Sequence, residues 1–235
     1  MMEYALMWLI NDIIVYTPPI VILAILGAVF KKHIKRPNLP DKTDWLTIVP
    51  LFMSMYSLVT LASIVNHAIA EFFTSVFGTN GLNDVFSDVM PKSQSQWVIM
   101  LFFVGIIAPI AEEFIFRHML LKPLRQLGER KAIIITAVLF GAFHGNLTQF
   151  LYAAVAGVIL GIVAVRANSV KPAIAIHILN NSFDIGKSYL FELSEQVSAS
   201  SDDLETMLML FLLSGLLITI VLAVKGHFKI DLHGN

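Results

Sequence analysis

A chain of 235 residues that is 57% hydrophobic and only 14% charged, with a mean hydropathy of +0.76, lies outside the range of a soluble domain and is expected to be an integral membrane protein. Having no cysteine, it has no disulfide, no thiolate metal site and no cysteine nucleophile. The net charge of −1 carries no message about partners, because in a membrane protein the distribution of charge between loops is what matters; no nucleic-acid partner is expected.

The first apolar run covers about Leu6 to Phe30 and is interrupted by Asn11-Asp12 and by Pro18-Pro19, which are expected to kink or break a helix. No basic region precedes it, so no cleavable signal peptide is expected. Asp12 is placed near the outer interface. A basic loop follows, Lys31-Lys32-His33-Ile34-Lys35-Arg36 and on to Lys42, and marks the cytoplasmic side. A second span, about Trp45 to Phe73, is longer than the roughly 20 residues a bilayer needs and is expected to tilt or to end along the interface, with Asn66 and His67 interfacial. The stretch from Thr74 to Gln96, with Asp84, Asp88 and the apolar Phe77, Val85, Phe86 and Val89, reads as an outer loop containing a short amphipathic helix.

The third span, about Trp97 to Leu121, carries three ionisable residues inside an apolar run: Glu112, Glu113 and Arg117. Charge at such depth costs roughly 2.5–3.5 kcal/mol per group by insertion measurements, and groups held there are usually functional. Glu113 and Arg117 stand at i and i+4 and pair on one helix face, whereas Glu112 is rotated about 100° away with no cation of its own at i+3 or i+4. That division suits Glu112 to general-base work and Glu113 to a structural ion pair. A purely structural network of all three is the competing reading.

A short fourth span, about Ala132 to Leu147, ends near His144 and the tight Gly145-Asn146-Leu147-Thr148 turn. The fifth, about Gln149 to Val165, contains Gly157 and Gly161 in a GxxxG spacing that lets helices approach closely. The sixth, about Pro172 to Phe191, presents His177 and Asn181 at i and i+4 with Asn180 and Asp184 beside them, one polar stripe. An acidic loop precedes a seventh span, about Thr206 to Val224.

Seven spans with the amino terminus outside and the carboxyl terminus cytoplasmic agree with the charge bias: of the 16 Lys and Arg residues only Lys92 and Lys187 fall on the outer side, and Arg117 lies within a span. The expected architecture is an all-α polytopic transmembrane bundle in the cell membrane, one integral membrane domain over residues 1–235, with the motif-bearing core at 96–190. A carboxylate, two imidazoles and a carboxamide on three spans, within a depth difference that tilt absorbs, supply a base, a proton partner and oxyanion donors for attack of water on an amide. Individually His144, or His177 with Asn181, serve equally well as hydrogen-bonding glue between helices.

Three spacings together resemble a known family. Glu112-Glu113-Phe114-Ile115-Phe116-Arg117 matches EExxxR, Phe140 to His144 matches FxxxH, and His177 to Asn181 matches HxxxN, in that order on successive helices. They are similar to the signature motifs of the CAAX protease and bacteriocin-processing family, also called the Abi family, of intramembrane endopeptidases. The resemblance implies a glutamate-dependent peptidase with no cofactor and no obligatory metal. Glu112 would activate water with His144 assisting, His177 and Asn181 would stabilise the oxyanion, and Glu113 with Arg117 would hold the site in place. The implied partner is a hydrophobic or lipidated peptide or protein within membrane lipid. Rival readings are a zinc hydrolase using Glu112, His144 and His177, a non-catalytic immunity or peptide-binding protein, and a transporter, the last weakened by the lack of internal repeat.

Overall fold

The computed structural model describes residues 1–29, 40–78, 90–196 and 202–228. Lys31 to Arg36 of the basic loop, the expected amphipathic segment through Asp84 and Val89, and Lys229 lie outside the described residues. Among the described residues the secondary structure is helical throughout, with no strand. The helices are α1 (Met2–Val29), α2 (Ile48–Phe77), α3 (Gln94–Leu127), α4 (Glu129–Phe143), α5 (Leu147–Ala167), α6 (Lys171–Gln196) and α7 (Asp202–Val224).

Five of these, α1, α2 with its leading turn, α3, α5 and α7, are long and apolar enough to cross a bilayer. The two that carry the histidine motifs are not. Helix α4 has 15 residues, about 22 Å at 1.5 Å each, short of a hydrocarbon core of about 30 Å. Helix α6 has the length, 26 residues, but carries the polar stripe.

Helix α1 runs through Pro18-Pro19 without a break, contrary to the expected interruption. The missing N–H groups and ring clashes of two adjacent prolines fall within one turn, and a long apolar helix keeps its remaining bonds because no water competes for them. Asn66 is buried, its Nδ2 donating to the Leu147 carbonyl (2.8 Å) and its Oδ1 accepting from the Leu151 N–H (3.0 Å), so α2 ties down the start of α5. His67 stays at an exposed position, bonded to the Ser63 carbonyl of its own helix (2.9 Å).

The bundle is assembled through small residues. A Cβ at Gly157 of α5 would lie 2.9 Å from Ala137 Cα and one at Gly161 3.2 Å from Ile133 Cγ2, so the GxxxG stripe is the seat of α4. Gly141 of α4 likewise meets the Phe150 carbonyl, at 2.6 Å from its notional Cβ. Helix α7 lies on α2 at Gly215, flanked by a Ser54–Thr219 hydroxyl pair (2.8 Å) and by Ser57 donating to the Leu212 carbonyl (3.0 Å).

At the membrane edge, the chain entering α2 is tied to the α5–α6 turn. Lys42 N–H donates to the Ala167 carbonyl (2.7 Å), and Asp41 accepts from Thr43, from Lys171 Nζ (3.1 Å) and from Ser169 (3.1 Å). These donors, the Thr43 hydroxyl foremost, hold the Asp41 carboxyl well below the usual carboxylate range. A depressed carboxylate contributes above its unfolded pKa, so the tie stands at neutral pH and is lost as pH falls through the lowered folded value.

The α2–α7 contact has a direct test. A Cβ at Gly215 would fall 2.0 Å from Ser57 Oγ and 2.4 Å from the Met53 carbonyl, which is backbone and cannot turn aside. Gly215→Ala is expected to destabilise the detergent-solubilised protein by about 1–3 kcal/mol through overpacking, read as a lower thermal unfolding midpoint. Gly186→Ala, where nothing lies within 4 Å, should leave the midpoint equal or higher.

Candidate active site

The long helix α3 is not a uniform α-helix. Two wider π-helical stretches, Phe103–Ile107 and Phe114–Leu121, bracket the short α segment Ala108–Glu113 that bears the carboxylates. Pro109 supplies a cause: without an N–H it cannot serve the carbonyls four and five residues before it, those of Gly105 and Val104. Helix α6 serves them instead. Asn181 Nδ2 donates to the Val104 carbonyl (3.1 Å), and Ser182 Oγ approaches the Gly105 carbonyl (3.5 Å).

The expected Glu113–Arg117 pair is present, Nε to Oε2 at 3.1 Å, and both residues are buried. Arg117 Nη2 also donates to the Gly157 carbonyl (3.1 Å), and its guanidinium carbon stands 4.8 Å from the centre of the Phe140 ring. The bare Gly157 therefore both seats α4 and exposes a carbonyl to the arginine. Glu113 Oε1 takes His177 Nδ1 at 3.0 Å. Since that nitrogen is the donor, Nε2 of a neutral His177 is the one carrying a lone pair.

Glu112 is buried, 8% exposed, and its two oxygens are treated differently. Oε1 accepts from the Tyr16 hydroxyl at 2.9 Å, while Oε2 lies 3.7 Å from His177 Nε2, too far for a direct hydrogen bond. Glu112, Glu113, Arg117 and His177 thus form one connected cluster.

His144 reaches this cluster through Phe140. It ends α4, and the Gly145 turn at φ 70° followed by Asn146, whose Oδ1 caps Gln149 N–H (2.8 Å), starts α5. Its Nδ1 donates to the Phe140 carbonyl (2.9 Å), leaving Nε2 as the acceptor nitrogen. The Phe140 ring meets the rings of His144 and His177 edge-on, at 5.2 and 5.7 Å. The first residue of FxxxH is therefore a buried pedestal beneath both imidazoles and the arginine. Asn181 lies one turn beyond His177, with one amide proton committed to Val104 and its Oδ1 near Asn180 Nδ2 (3.4 Å).

Tyr16 is absent from the sequence reading of the site. The only local signal is that Trp8, Asp12 and Tyr16 fall at i, i+4 and i+8, the one ridge of α1 that turns inward. Asp12 is half-buried on that ridge. Among the described residues no group of three or more His, Asp and Glu side chains is gathered so as to hold a metal ion.

The cluster separates stability from chemistry. Arg117→Ala would leave the Glu113 carboxylate buried without its cation, a loss of about 3–5 kcal/mol. Little folded protein is expected by size-exclusion chromatography, whereas Glu112→Gln, which keeps its shape and its bond to Tyr16, should elute and melt like the wild type.

One comparison bears on this arrangement. A family model described as type II CAAX prenyl endopeptidase, Rce1-like, matches residues 94–183, a stretch that opens at the start of α3 and closes just past Asn181 and so encloses all three motifs. No curated protein and no solved structure matches the chain. Over residues 94–183, less than half of its length, the chain is thus similar to a family of CAAX prenyl endopeptidases, which are proteases.

Proposed function

We propose that the chain is an intramembrane endopeptidase that hydrolyses a peptide bond of a hydrophobic or lipidated peptide or protein with water activated by Glu112. The observation that carries the reading is the asymmetry of Glu112: one oxygen is held by Tyr16 and the other stands 3.7 Å from His177 Nε2, a spacing at which one water can hydrogen-bond to both. Glu112 takes a proton from that water as its oxygen attacks the carbonyl carbon. The proton then passes to the leaving amine nitrogen as the C–N bond breaks. His144 Nε2, freed by the Nδ1 bond to Phe140, accepts from the same water and orients it. The second amide proton of Asn181 and, in the doubly protonated form of the ring, His177 Nε2–H donate to the developing oxyanion. Glu113 and Arg117 take no proton; they fix His177 and α3.

The substrate enters sideways from the lipid, as an apolar or lipidated segment would. The same proposal makes it a multi-pass protein of the cell membrane, amino terminus outside and carboxyl terminus cytoplasmic, with processing of CAAX-type proteins or of bacteriocin and signalling peptides as the candidate tasks. Support comes from the family match and from the basic residues that gather on the cytoplasmic loops.

Two measurements test this. Mass spectrometry of hydrophobic and farnesylated peptides incubated with detergent-solubilised protein should show fragments for the wild type, none above background for Glu112→Gln, at least a thousandfold drop, and no effect of chelator. Fragments that persist in Glu112→Gln sink the reading, and fragments lost only with chelator transfer it to a metal hydrolase. Because the chain has no cysteine, single cysteines report topology cleanly. In intact cells a membrane-impermeant maleimide should label Lys92→Cys and spare Arg130→Cys; the reverse pattern inverts the orientation.

A further inference from the structure

Helix α1 contributes little to the bundle. Its buried residues are Trp8 and Tyr16, and most of its other apolar side chains face outward. Trp8 is absorbed by a small apolar cluster with Trp97, Met100 and Ile185. Tyr16 goes to the main core, where its ring lies 6.0 Å from that of Phe143, tilted by 31°. A phenol brought into such surroundings is costly unless its hydroxyl is paired, and this one is paired with Glu112 alone among the hydrogen bonds described.

We propose that Tyr16 is a positioning residue for Glu112: its hydroxyl pins Oε1 so that Oε2 is held toward His177. The proposal rests on the reading of Glu112 as the base. A glutamate has three side-chain torsions, and the orientation of the reacting oxygen is otherwise unfixed, since Glu112 has no cation at i+3 or i+4 and the His177 contact is long. Tyr16 acts on the reaction through Glu112 and needs no contact with substrate. Asp12, one turn before Tyr16, is a second carboxylate within electrostatic reach of Glu112, and its Oδ2 is buried without a hydrogen-bond partner. The Tyr16 hydroxyl goes to Glu112 at 2.9 Å, and the tilted Phe143 ring packs beside the phenol. Because α1 meets the rest of the protein chiefly along α3, its docking becomes a condition for an aligned base.

The test compares Tyr16→Phe, which keeps the ring and its packing, with a ring-fluorinated tyrosine at position 16, which keeps the fold and donates a stronger hydrogen bond. Two readouts are taken on the full-length protein in detergent: cleavage of an internally quenched farnesylated peptide, and the infrared carboxylate band that disappears in Glu112→Gln. Tyr16→Phe is expected to lower kcat about tenfold or more with KM within twofold, and to shift the Glu112 band. The fluorinated residue should shift the band the opposite way. A kcat within twofold of wild type for Tyr16→Phe, a change confined to KM, or a band indifferent to both substitutions overturns the proposal. Cleavage that survives Glu112→Gln refutes Glu112 as the base instead, and the band then decides by itself whether Tyr16 governs this carboxylate.

Discussion

The buried ion pair between Glu113 and Arg117 sets the terms for the rest of the molecule. Two charges taken out of water cost several kcal/mol each, and their attraction repays this only when the remaining polar atoms are also met. Arg117 meets part of that demand with the Gly157 carbonyl of α5 and the Phe140 face of α4, its Nη1 being buried without a hydrogen bond, and Glu113 meets part of it with the Nδ1 proton of His177 on α6. Three helices are therefore fixed around one pair on a fourth. Short α4 and polar α6, neither of which qualifies as a span by length and composition, are held inside the bundle by contacts that the apolar effect alone would not supply between lipid-bathed helices.

Backbone chemistry prepares the same place. Pro109 removes a donor three residues before Glu112, the helix widens, and the freed carbonyls are taken by Asn181 and Ser182. One turn separates Asn181 from His177, so the bond that repairs the α3 backbone also sets the register of α6 against the carboxylates. Glycines do the equivalent for α4 and α5: at Gly141 and Gly157 even a methyl group would collide with backbone or with Ala137, and the resulting proximity is what lets Arg117 reach across to a main-chain oxygen.

Much of this was legible in the chain, for a physical reason that also marks the limit. The Glu113–Arg117 pair, the inward role of Gly157 and Gly161, the turn at Gly145-Asn146 and the polar stripe of α6 all follow from helical periodicity within one segment, and each is found in the structure. What stayed hidden depends on contacts between segments far apart in sequence. Tyr16 lies 96 residues from Glu112 and Asn66 81 residues from Leu147; the ridge of Trp8, Asp12 and Tyr16 marks a face of α1 but names no partner, and nothing local marks Asn66. Phe140 looked like motif spacing and proves to be the surface on which His144, His177 and Arg117 rest. At Pro18-Pro19 of α1, where a kink or a break was expected, the break does not occur, because lipid leaves the backbone no alternative partner.

Adjacent glutamates on a helix diverge by about 100°, and the tandem arrangement uses that angle. Glu113 points into the packing between α4, α5 and α6, with Oε2 ion-paired to Arg117 and Oε1 accepting from His177. Glu112 points toward α1, the least embedded helix, with one oxygen bonded and one left in a loose contact. Placing the two carboxylates on neighbouring residues lets the Glu113–Arg117 pair bear the desolvation of the site. Under the proposed function Glu112 then needs only enough fixation to aim one oxygen, and the sole hydrogen bond described for its side chain comes from a helix that little else holds.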